Sequence, residues 1–504
     1  ISLNRKLLCM LLALLMLTGC ATSGVRPSME QQTCLHQDED DNGSCDSCFA
    51  SLLVAIDLYN INDLHGKLAD GEEHPGVDEL STYFERVRQS DSYVILLSSG
   101  DMWQGSAESN MTKGKIITDW MNEMDFVAMT LGNHEFDWGE SYIEKNATLA
   151  EFPFLAINIY NRQTDSLVEY CKPSVIIEKG GVQVGIIGAI GDCYSSISPD
   201  HTKDIYFKTG SELTALVKAE SEKLRQQGAD LIVYALHDGS SRSSNGRLEY
   251  VTDSSLRSYY DISLSDGYVD LVFEGHSHQR YLQQDSYGVY HLQGGGDNDG
   301  ITHVEIRVNS VTGTYRVTQQ EYISASEYDQ LPDAPVVEDL LQKYEDDISF
   351  SNRIVGYNAA FRNSNTLRQV VAQLYLQAGI EKWGDEYDIV LGGGYLTTRS
   401  PYDLQQGQVT YATLQAIFPF DNELVLCSVK GSDLLSKFIN SGNANYFIAR
   451  SDNRNIDPNG TYYIVVDSYT STYAPNRLTE IQRYGADIFV RDLLADYIEA
   501  GHFS

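Results

Sequence analysis

Five short groups of residues in the first half of the chain have side chains that bind divalent metal ions. They are Asp63-Leu64-His65, Gly100-Asp101, Gly132-Asn133-His134-Glu135, His237 and Gly275-His276-Ser277-His278. Carboxylates, amide oxygens and neutral imidazoles bind Zn²⁺, Mn²⁺ or Fe²⁺ without thiolates. A carboxylate can bridge two ions, and two ions roughly 3.5–4 Å apart can clamp a phosphoryl oxygen. The residue types therefore predict a two-metal centre suited to phosphoryl chemistry.

Each group follows a stretch that is typical of a β-strand. Apolar runs occupy residues 52–60, 93–98, 127–131, 182–190, 231–236 and 271–274, and longer mixed segments separate them. This alternation predicts a layered α/β domain. Because sites in open α/β sheets form beyond the carboxyl ends of strands, the loops that carry the five groups are expected to converge. His237 alone would be typical of a core histidine, so the prediction depends on the whole set.

Length and composition limit the class of protein. The chain has 504 residues, which is too many for one ordinary domain. Apolar residues make up 42%, which excludes a disordered chain. The 36 Lys and Arg against 71 Asp and Glu give a net charge of −35, which argues against a nucleic-acid polymer as partner. A small anionic substrate stays compatible, since a metal ion or a few arginines reverse the local field.

The N-terminus has the pattern of an export signal. Arg5 and Lys6 precede an apolar run over residues 7–17, which is too short to span a bilayer. The next residues, Leu17-Thr18-Gly19-Cys20, resemble the lipobox of bacterial lipoproteins, in which the Cys carries the lipid. We therefore predict a lipid anchor on Cys20 and a place outside the cytoplasm, on the cell membrane or the outer membrane. Ordinary cleavage nearby, which would give a soluble secreted protein, is the alternative.

Changes in pattern divide the chain into five predicted parts. We predict a signal peptide over residues 1–20, an acidic tether over 21–50 and the layered domain over 51–323. Charged, helix-favouring residues predict a linker helix over 324–353. A second domain, of α+β type, is predicted over 354–504.

The tether contains a cluster of three cysteines and one histidine. Such a set could form a tetrahedral zinc site, and the Asp and Asn residues around Gly43 could instead hold Ca²⁺. The cluster consists of Cys34, His36, Cys45 and Cys48. An acidic tether with incidental cysteines is the alternative. Further along, Cys171 and Cys193 are a possible disulfide pair of an exported protein.

The five groups look like the signature blocks of the calcineurin-like metallophosphoesterases. Residues 100–106, 132–139 and 152–158 resemble the 5′-nucleotidase/UDP-sugar hydrolase branch, and so do Gly392-Gly393-Gly394 and residues 418–424. The resemblance covers about residues 51–504. It implies an N-terminal four-layer α/β/β/α sandwich and a smaller α+β C-terminal domain that binds the substrate.

The resemblance also implies roles for residues of the metal site. Asp101 would bridge two metals, and the attacking group would be the hydroxide between them. His134, which would not bind metal, would stabilise charge on the phosphate or protonate the leaving oxygen, and Asp137 would orient it. Asp137 could instead be an acid in the first turn of a helix. The other ligands would be Asp63, His65 and His278 for one metal, and Asn133, His237 and His276 for the second.

The residues expected to bind the rest of the substrate depart from the family pattern. Arg362 lies in a block that resembles the start of the family's C-terminal domain, whereas Arg399 is displaced from the usual position after the three glycines. The family's glycine-rich loop with a base-stacking Phe is missing. Tyr469 or Tyr473 could supply that ring, with Tyr446 or Phe447 as its partner. Half-buried strand residues are an equally good interpretation of these aromatic residues.

Together these features predict a monomeric enzyme outside the cytoplasm, a 5′-nucleotidase that releases phosphate from a small-molecule nucleotide. Within the same chemistry, a 2′,3′-cyclic nucleotide phosphodiesterase or a UDP-sugar pyrophosphohydrolase is the alternative. Some relatives act in sulfur oxidation or cell-wall metabolism, so a substrate without phosphate is conceivable. From another class, the chain could be a non-catalytic surface binding lipoprotein, or an adhesion or scaffold protein. The presence of every metal ligand argues against the binding lipoprotein, and an adhesion or scaffold protein would have no metal-dependent activity.

Overall fold

The computed structural model describes residues 36–70, 75–90, 92–239, 241–242, 248–249, 260–399, 402–473, 477–485 and 489–504. By internal contacts the chain divides into two units, Ile1–Leu52 and Leu53–Ser504. The predicted signal peptide with Cys20 lies outside the described residues, and so does Cys34. Within the described part of the chain, no helix has both the length and the apolar character needed to cross a bilayer.

The first part of the larger unit alternates strands with helices. Its strands are β1 (Leu53–Ile61), β2 (Tyr93–Ser98), β3 (Phe126–Thr130), β4 (Phe154–Leu155), β5 (Ile159–Asn161), β6 (Ser174–Lys179), β7 (Val182–Ile190), β8 (Ile205–Phe207), β9 (Leu231–His237), β10 (Ser241–Arg242), β11 (Leu248–Glu249), β12 (Leu271–Glu274), β13 (Arg280–Gln284), β14 (Tyr290–Gly294), β15 (Gly300–Asn309) and β16 (Tyr315–Ser324). Its helices are α1 (Asp78–Val87), α2 (Ala107–Thr112), α3 (Lys115–Glu123), α4 (Glu140–Leu149), α5 (Gly210–Gln226), α6 (Ala325–Tyr328), α7 (Pro335–Lys343) and α8 (Glu345–Ile348).

Two six-stranded sheets form the centre of this part. One has the order β16-β15-β1-β2-β3-β4, and the other has the order β13-β14-β12-β9-β7-β6. Neighbouring strands among β1, β2, β3 and β4 are parallel, as are those among β7, β9, β12 and β14. The carboxyl ends of the parallel strands in each sheet therefore lie along one edge, where the loops of the predicted site begin.

Side chains of β1 alternate between two hydrophobic cores. Ile56 and Leu58 are buried between the two sheets, whereas Tyr59 and Ile61 are buried on the opposite face with residues of α1 and α3. On the far side of the second sheet, Val217 of α5 joins a third core. The order of layers is helix, sheet, sheet, helix, which confirms the predicted α/β/β/α sandwich.

The stretch predicted as a linker helix contains three short helices, α6, α7 and α8. Pro335 occupies the first turn of α7, where its missing amide hydrogen is not needed. Val337, Leu340 and Ile348 are buried in the core that contains α1 and α3. This connection therefore packs on the first part of the chain.

The remaining residues form a smaller α+β part. Its strands are β17 (Ile354–Asn358), β18 (Ile389–Tyr395), β19 (Gly407–Thr410), β20 (Leu424–Lys430), β21 (Tyr446–Arg450), β22 (Thr461–Asp467) and β23 (Leu478–Arg483). Its helices are α9 (Ser364–Trp383), α10 (Tyr411–Ile417), α11 (Gly431–Asp433), a π-helix at Leu434–Ile439, α12 (Ser468–Tyr473) and α13 (Val490–Glu499).

A mixed sheet of order β21-β18-β22-β20-β23 is the centre of the smaller part. Helix α9 packs on one face of it, where Leu367 and Tyr375 are fully buried with Val465 of β22. The side chain of Asn363 accepts the amide of Thr366, which fixes the start of α9. The predicted α+β class of the C-terminal part is confirmed.

The five described cysteines form no disulfide with one another, so the possible pairing of Cys171 with Cys193 is wrong. Both are buried in the core beside the first sheet. Burial raises the pKa of both thiols well above the usual value, which keeps them protonated.

Candidate active site

The structure brings the seven predicted metal ligands together between the two sheets. Five of them are buried, and His276 and His278 are partly exposed. The ligands lie at strand ends: Asp63 and His65 after β1, Asp101 after β2, Asn133 after β3, His237 at the end of β9, and His276 and His278 after β12.

Asp63, His65 and His278 form the first group of ligand atoms. The Nε2 atoms of His65 and His278 are 3.0 Å apart, and His278 Nε2 is 3.4 Å from Asp63 Oδ1. His65 donates its Nδ1 hydrogen to the carbonyl of Gln104 at 2.9 Å, so its Nε2 lone pair is directed at the group. Asn62 Nδ2 donates to Asp63 Oδ2 at 2.8 Å and fixes the carboxylate.

Asp101, Asn133 and His237 form the second group. His237 Nε2 lies 3.2 Å from Asp101 Oδ2 and 3.2 Å from Asn133 Oδ1. Its Nδ1 donates to the carbonyl of Ser99 at 2.6 Å, which again leaves the lone pair of Nε2 free to bind a metal ion. The ring of His276 is 5.6 Å from that of His237. Ligand atoms of Asp63, Asp101 and His237 all lie within 4.8 Å of one another, so the two groups are contiguous.

Most of these ligands have an uncommon backbone conformation. Asp63, His65, Asp101, His276 and His278 have positive φ angles, between 50° and 67°. Residues other than glycine adopt this left-handed region at an energetic cost, and they do so mainly at functional sites. The strain lies in the loops where the donor atoms converge.

The Glu135 side chain forms hydrogen bonds with the backbone of two of the loops that carry the predicted ligands. Its carboxylate is fully buried and accepts the amides of Gly132 at 2.7 Å, Asp101 at 2.9 Å and Met102 at 2.8 Å. The amide of His134 in turn donates to Asp101 Oδ1 at 2.8 Å. Glu135 therefore fixes the loops after β2 and β3 relative to each other, although it is not a predicted ligand.

His134 lies at the edge of the metal-ligand cluster and contacts two charged side chains. Its Nδ1 is 2.8 Å from Asp137 Oδ2, and its Nε2 is 2.6 Å from Arg399 Nη2. A guanidinium only donates, so Nε2 accepts and the Nδ1 hydrogen faces Asp137. Arg399 Nε is buried without a hydrogen-bond partner among the described residues. Arg399 thus presents an unused donor beside the cluster.

Phe420 is a residue of this region that sequence reasoning did not single out. Its ring lies 5.9 Å from the ring of His134 and 5.6 Å from the guanidinium of Arg399. Arg491 donates to the carbonyl of Phe420 at 3.1 Å and fixes this loop. Phe420 belongs to a stretch that the sequence already marks as family-like, but its contact with His134 depends on the tertiary fold.

The predicted tyrosines Tyr446 and Tyr469 lie around a third one, Tyr395. The ring of Tyr395 is 5.7 Å from Tyr446 and 5.8 Å from Tyr469. Burial raises the pKa of Tyr469 to about 12, and the charge of Asp137 contributes to that shift. The three tyrosines therefore form one aromatic cluster. Tyr395 was missed as a site residue, although it directly follows the three glycines that resemble the family pattern.

The other predicted substrate residues contact different groups. Arg362 stacks on Phe503 at 3.9 Å and donates from Nε to Asn358. Phe447 lies against Arg368, whose guanidinium is 5.4 Å from its ring. Tyr473 is the last residue of α12, and its side chain is outside the described part.

Cys193 is a further donor near the cluster that the sequence did not mark. Its sulfur lies within 4.8 Å of ring nitrogens of His237 and His276, and it donates to the carbonyl of His237 at 3.0 Å. Cys193 follows the end of β7. The rule that located the other ligands, a polar residue just after a parallel strand, would have included it.

Ion pairs join the two parts of the larger unit beside Phe420. Lys113 Nζ donates to Asp421 Oδ2 at 2.7 Å, and Arg491 contacts the other oxygen of the same carboxylate. The two cations lower the pKa of Asp421 against the effect of burial. Asp421 therefore stays ionised and holds the C-terminal part close to the loop of His134.

The donor set fits divalent metal ions. Imidazole nitrogens with carboxylate and amide oxygens suit Zn²⁺, Mn²⁺ or Fe²⁺, and buried carboxylates facing imidazoles are costly unless a cation or a proton compensates them. The Nε2 atoms of His65 and His278 lie 3.0 Å apart, and the Nδ1 of His65 is hydrogen-bonded to a carbonyl. This arrangement is consistent with a cation shared by the two Nε2 atoms.

Residues 57–280 match the family model described as calcineurin-like phosphoesterase. The chain contains a domain of that class, which uses divalent metals, and it is a phosphoric-ester hydrolase.

More distant similarity extends over most of the chain. Protein UshA of Yersinia enterocolitica is 25% identical over 427 residues, which are 75% of this chain and 74% of that protein. Human 5′-nucleotidase is 24% identical over 434 residues, or 77% and 71% of the two chains. Cell wall protein Lmo0130 of Listeria monocytogenes is 25% identical over 76% of this chain and 55% of its own length. The resemblance to the 5′-nucleotidase group is confirmed.

Solved structures confirm the fold. A 5′-nucleotidase precursor of Thermus thermophilus superposes with a TM-score of 0.64 at 18% identity, over 89% of this chain and 96% of that one. The sulfate thiohydrolase SoxB of the same organism has the same TM-score of 0.64 at 15% identity, over 88% and 94% of the two chains.

Proposed function

We propose that this chain is a 5′-nucleotidase with two metal ions, which hydrolyses the phosphate ester of a nucleotide. The observation that supports this most is the cluster of seven ligands beside His134, with Arg399 of the C-terminal part reaching the same imidazole. The sequence relatives with that activity in their names support the nucleotide over other esters.

The metal ligands are assigned as the sequence predicts. Asp63, His65 and His278 would hold one ion, Asn133, His237 and His276 the other, and Asp101 both. When bound, the ions would supply Lewis acidity that activates water and neutralises the phosphoryl oxygens.

His134, Asp137 and Arg399 carry out the rest of the chemistry. His134 donates a hydrogen bond from Nδ1 to Asp137, so it can take up a proton from solvent at Nε2 and become an imidazolium that the Asp137 carboxylate stabilises. Protonated at both nitrogens, it donates to a phosphoryl oxygen or to the leaving oxygen. Arg399 then no longer has an acceptor on His134, and its guanidinium is available for the phosphate.

Tyr395, Tyr446 and Tyr469 are proposed to contact the nucleoside. They form one aromatic cluster, from the end of β18, the start of β21 and helix α12 of the C-terminal part. Stacking on a base contributes about 1–3 kcal/mol and tolerates different bases. We therefore expect a broad preference among nucleotides.

The decisive experiment measures phosphate release by the full chain with added Mn²⁺. The substrates are AMP, 2′,3′-cyclic AMP, UDP-glucose coupled to a phosphatase, and an aryl phosphate, and His134→Ala is the control. Preference for AMP supports a 5′-nucleotidase. Preference for the cyclic or the sugar nucleotide reassigns the substrate within the same chemistry. If a protein with both metals bound hydrolysed none of these substrates, the proposal of an enzyme would be wrong and a binding protein would be favoured.

We also propose that Cys20 carries a lipid that anchors the protein outside the cytoplasm. The sequence before Cys20 supports this, as does a relative named as a cell wall protein. Cys20→Ser should move the protein from the membrane fraction to the soluble fraction. Membrane retention of that variant would contradict the anchor.

A further inference from the structure

Residues 36–52 form a compact segment with almost no hydrophobic core. Four backbone hydrogen bonds, each 2.8–2.9 Å long, hold the segment together. The amides of Cys45, Phe49, Asp46 and Leu52 donate to the carbonyls of Ala50, Cys45, Gln37 and Gly43, respectively. Cys45 and Leu52 are its only buried apolar residues among those described, and Phe49 is 82% exposed. Such a small buried apolar surface is not enough to stabilise the folded segment. Another source of stability is therefore needed.

Three side chains with soft or borderline donor atoms meet at the centre of this segment. Donor atoms of His36, Cys45 and Cys48 lie within 4.8 Å of one another, and Cys48 Sγ is 3.5 Å from His36 Nδ1. Cys45 and Cys48 are not joined by a disulfide. Their Cys-x₂-Cys spacing is that of one half of a structural zinc site.

The carboxylates of the segment shape its loop. Asp38 accepts the amides of Asn42 at 3.0 Å and Gly43 at 2.8 Å, and Asp46 accepts the amide of Glu39 at 2.8 Å. They form a group with Asp40 that is separate from the sulfur and imidazole atoms. The structure therefore separates the two ion types that the sequence left open, since zinc and calcium would bind different residues.

We propose that His36, Cys45 and Cys48 bind a structural zinc ion that stabilises residues 36–52. Thiolate and imidazole ligands select Zn²⁺ over the hard cations Ca²⁺ and Mg²⁺. The proposed zinc ligands belong to the unit that ends at Leu52, and none of them is among the ligands proposed for phosphate hydrolysis. The three described ligands carry the proposal.

The test compares metal content in the full chain and in matched variants. Zinc is measured by mass spectrometry after exhaustive dialysis, and each protein is also loaded with Co²⁺ to record thiolate-to-cobalt charge transfer in the near ultraviolet. Cys45→Ser and Cys48→Ser should each lose one equivalent of zinc and most of the charge-transfer band. Cys427→Ser, which changes a buried cysteine of β20, should keep both.

Two further variants protect the test against misfolding. His36→Ala should lose zinc, whereas His36→Cys, which replaces one zinc ligand with another, should retain it. AMP hydrolysis should stay within about twofold of the parent chain in all of them, since none of these variants changes a residue proposed to act in hydrolysis. Limited proteolysis should cut residues 36–52 faster in the variants that lose zinc.

Three results would overturn the proposal. One is unchanged zinc and cobalt absorption in Cys45→Ser. Another is a Cys45–Cys48 disulfide in the non-reduced protein purified from its native compartment. The third is a bound Ca²⁺ that is lost with Asp38→Asn while zinc is absent, which would assign the segment to its carboxylates.

Discussion

His134 contacts a carboxylate of its own loop and a guanidinium of the C-terminal part through its two ring nitrogens. We expect His134→Ala to lower kcat by about 10²–10⁴-fold, because a positioned acid–base group contributes that much. Metal content should not change. Steady-state kinetics and metal analysis check this, with His201→Ala as control. Loss of metal in the variant would show that His134 is a ligand.

Asp101 is the residue on which both proposed metals depend. Its Oδ2 faces His237 and its Oδ1 accepts the amide of His134. Asp101→Asn removes the charge between the two ligand groups, so we expect the protein to lose one or both ions and its activity. Calorimetric metal titration measures this, and Asp125→Asn, at an exposed carboxylate, is the control. Full occupancy by two metals in Asp101→Asn would contradict a bridging role.

The two loops after β2 and β3 share one support, the carboxylate of Glu135. In Glu135→Gln one oxygen acceptor becomes an NH₂ donor facing backbone amides. We expect metal affinity to fall by about 10–100-fold, as for other groups that support a ligand. The free energy of unfolding should fall by about 1–3 kcal/mol for the unsatisfied amide. Denaturant unfolding and metal titration test both, and Glu144→Gln should change neither.

His303 of β15 contacts residues of both neighbouring strands, β1 and β16, and is not one of the proposed metal ligands. It pairs with Tyr59 on β1, stacks on that ring at 4.3 Å, and pairs with Glu321 on β16. Its nitrogens lie 2.9 Å from Asp57 Oδ1 and 2.7 Å from Glu321 Oε1. The two carboxylates raise the pKa of His303 above 6.5 although burial opposes the shift.

A raised histidine pKa makes stability depend on pH with a known sign. The contribution of His303 is fully present below the unfolded value and is lost as pH rises through the folded value. We expect a lower Tm at about pH 9 than at about pH 6, and a smaller difference in His303→Gln. Calorimetry at both values measures this. An equal decrease in the parent and the variant would assign the effect to other groups.

Arg399 acts at the scale of the whole molecule, because it belongs to the C-terminal part and contacts the phosphoesterase domain. We expect Arg399→Ala to lower kcat/KM for AMP by about 10–100-fold, the worth of a hydrogen bond to a charged group. Metal content should be unchanged. Kinetics of the variant are compared with those of Arg307→Ala, a surface arginine paired with Glu305. An unchanged kcat/KM would mean that Arg399 only packs on Phe420.

The proposed metal ligands could be placed from sequence because each lies within a few residues of its own strand end. The order of the strands in the sheets then brings their loops together without further information. The contact between His134 and Arg399 could not be predicted, since 265 residues separate them and the docking of the two parts sets the distance. Glu135 has the same limitation. Its side chain looks like part of a motif, and only the folded loops show that it accepts backbone amides.

The positive φ angles of five ligands connect catalysis with the lifetime of the protein. Each strained residue costs of order 1–3 kcal/mol, whereas a whole domain is typically stable by about 5–15 kcal/mol. The loops of the proposed site therefore take up a large share of the free energy that keeps the chain folded, and bound metal would restore it. Where metals are scarce or chelated, loss of the ions would expose this chain to heat and proteases before it exhausted any substrate. Selection for durability should then act on positions away from the centre, where stabilising substitutions do not disturb the ligands.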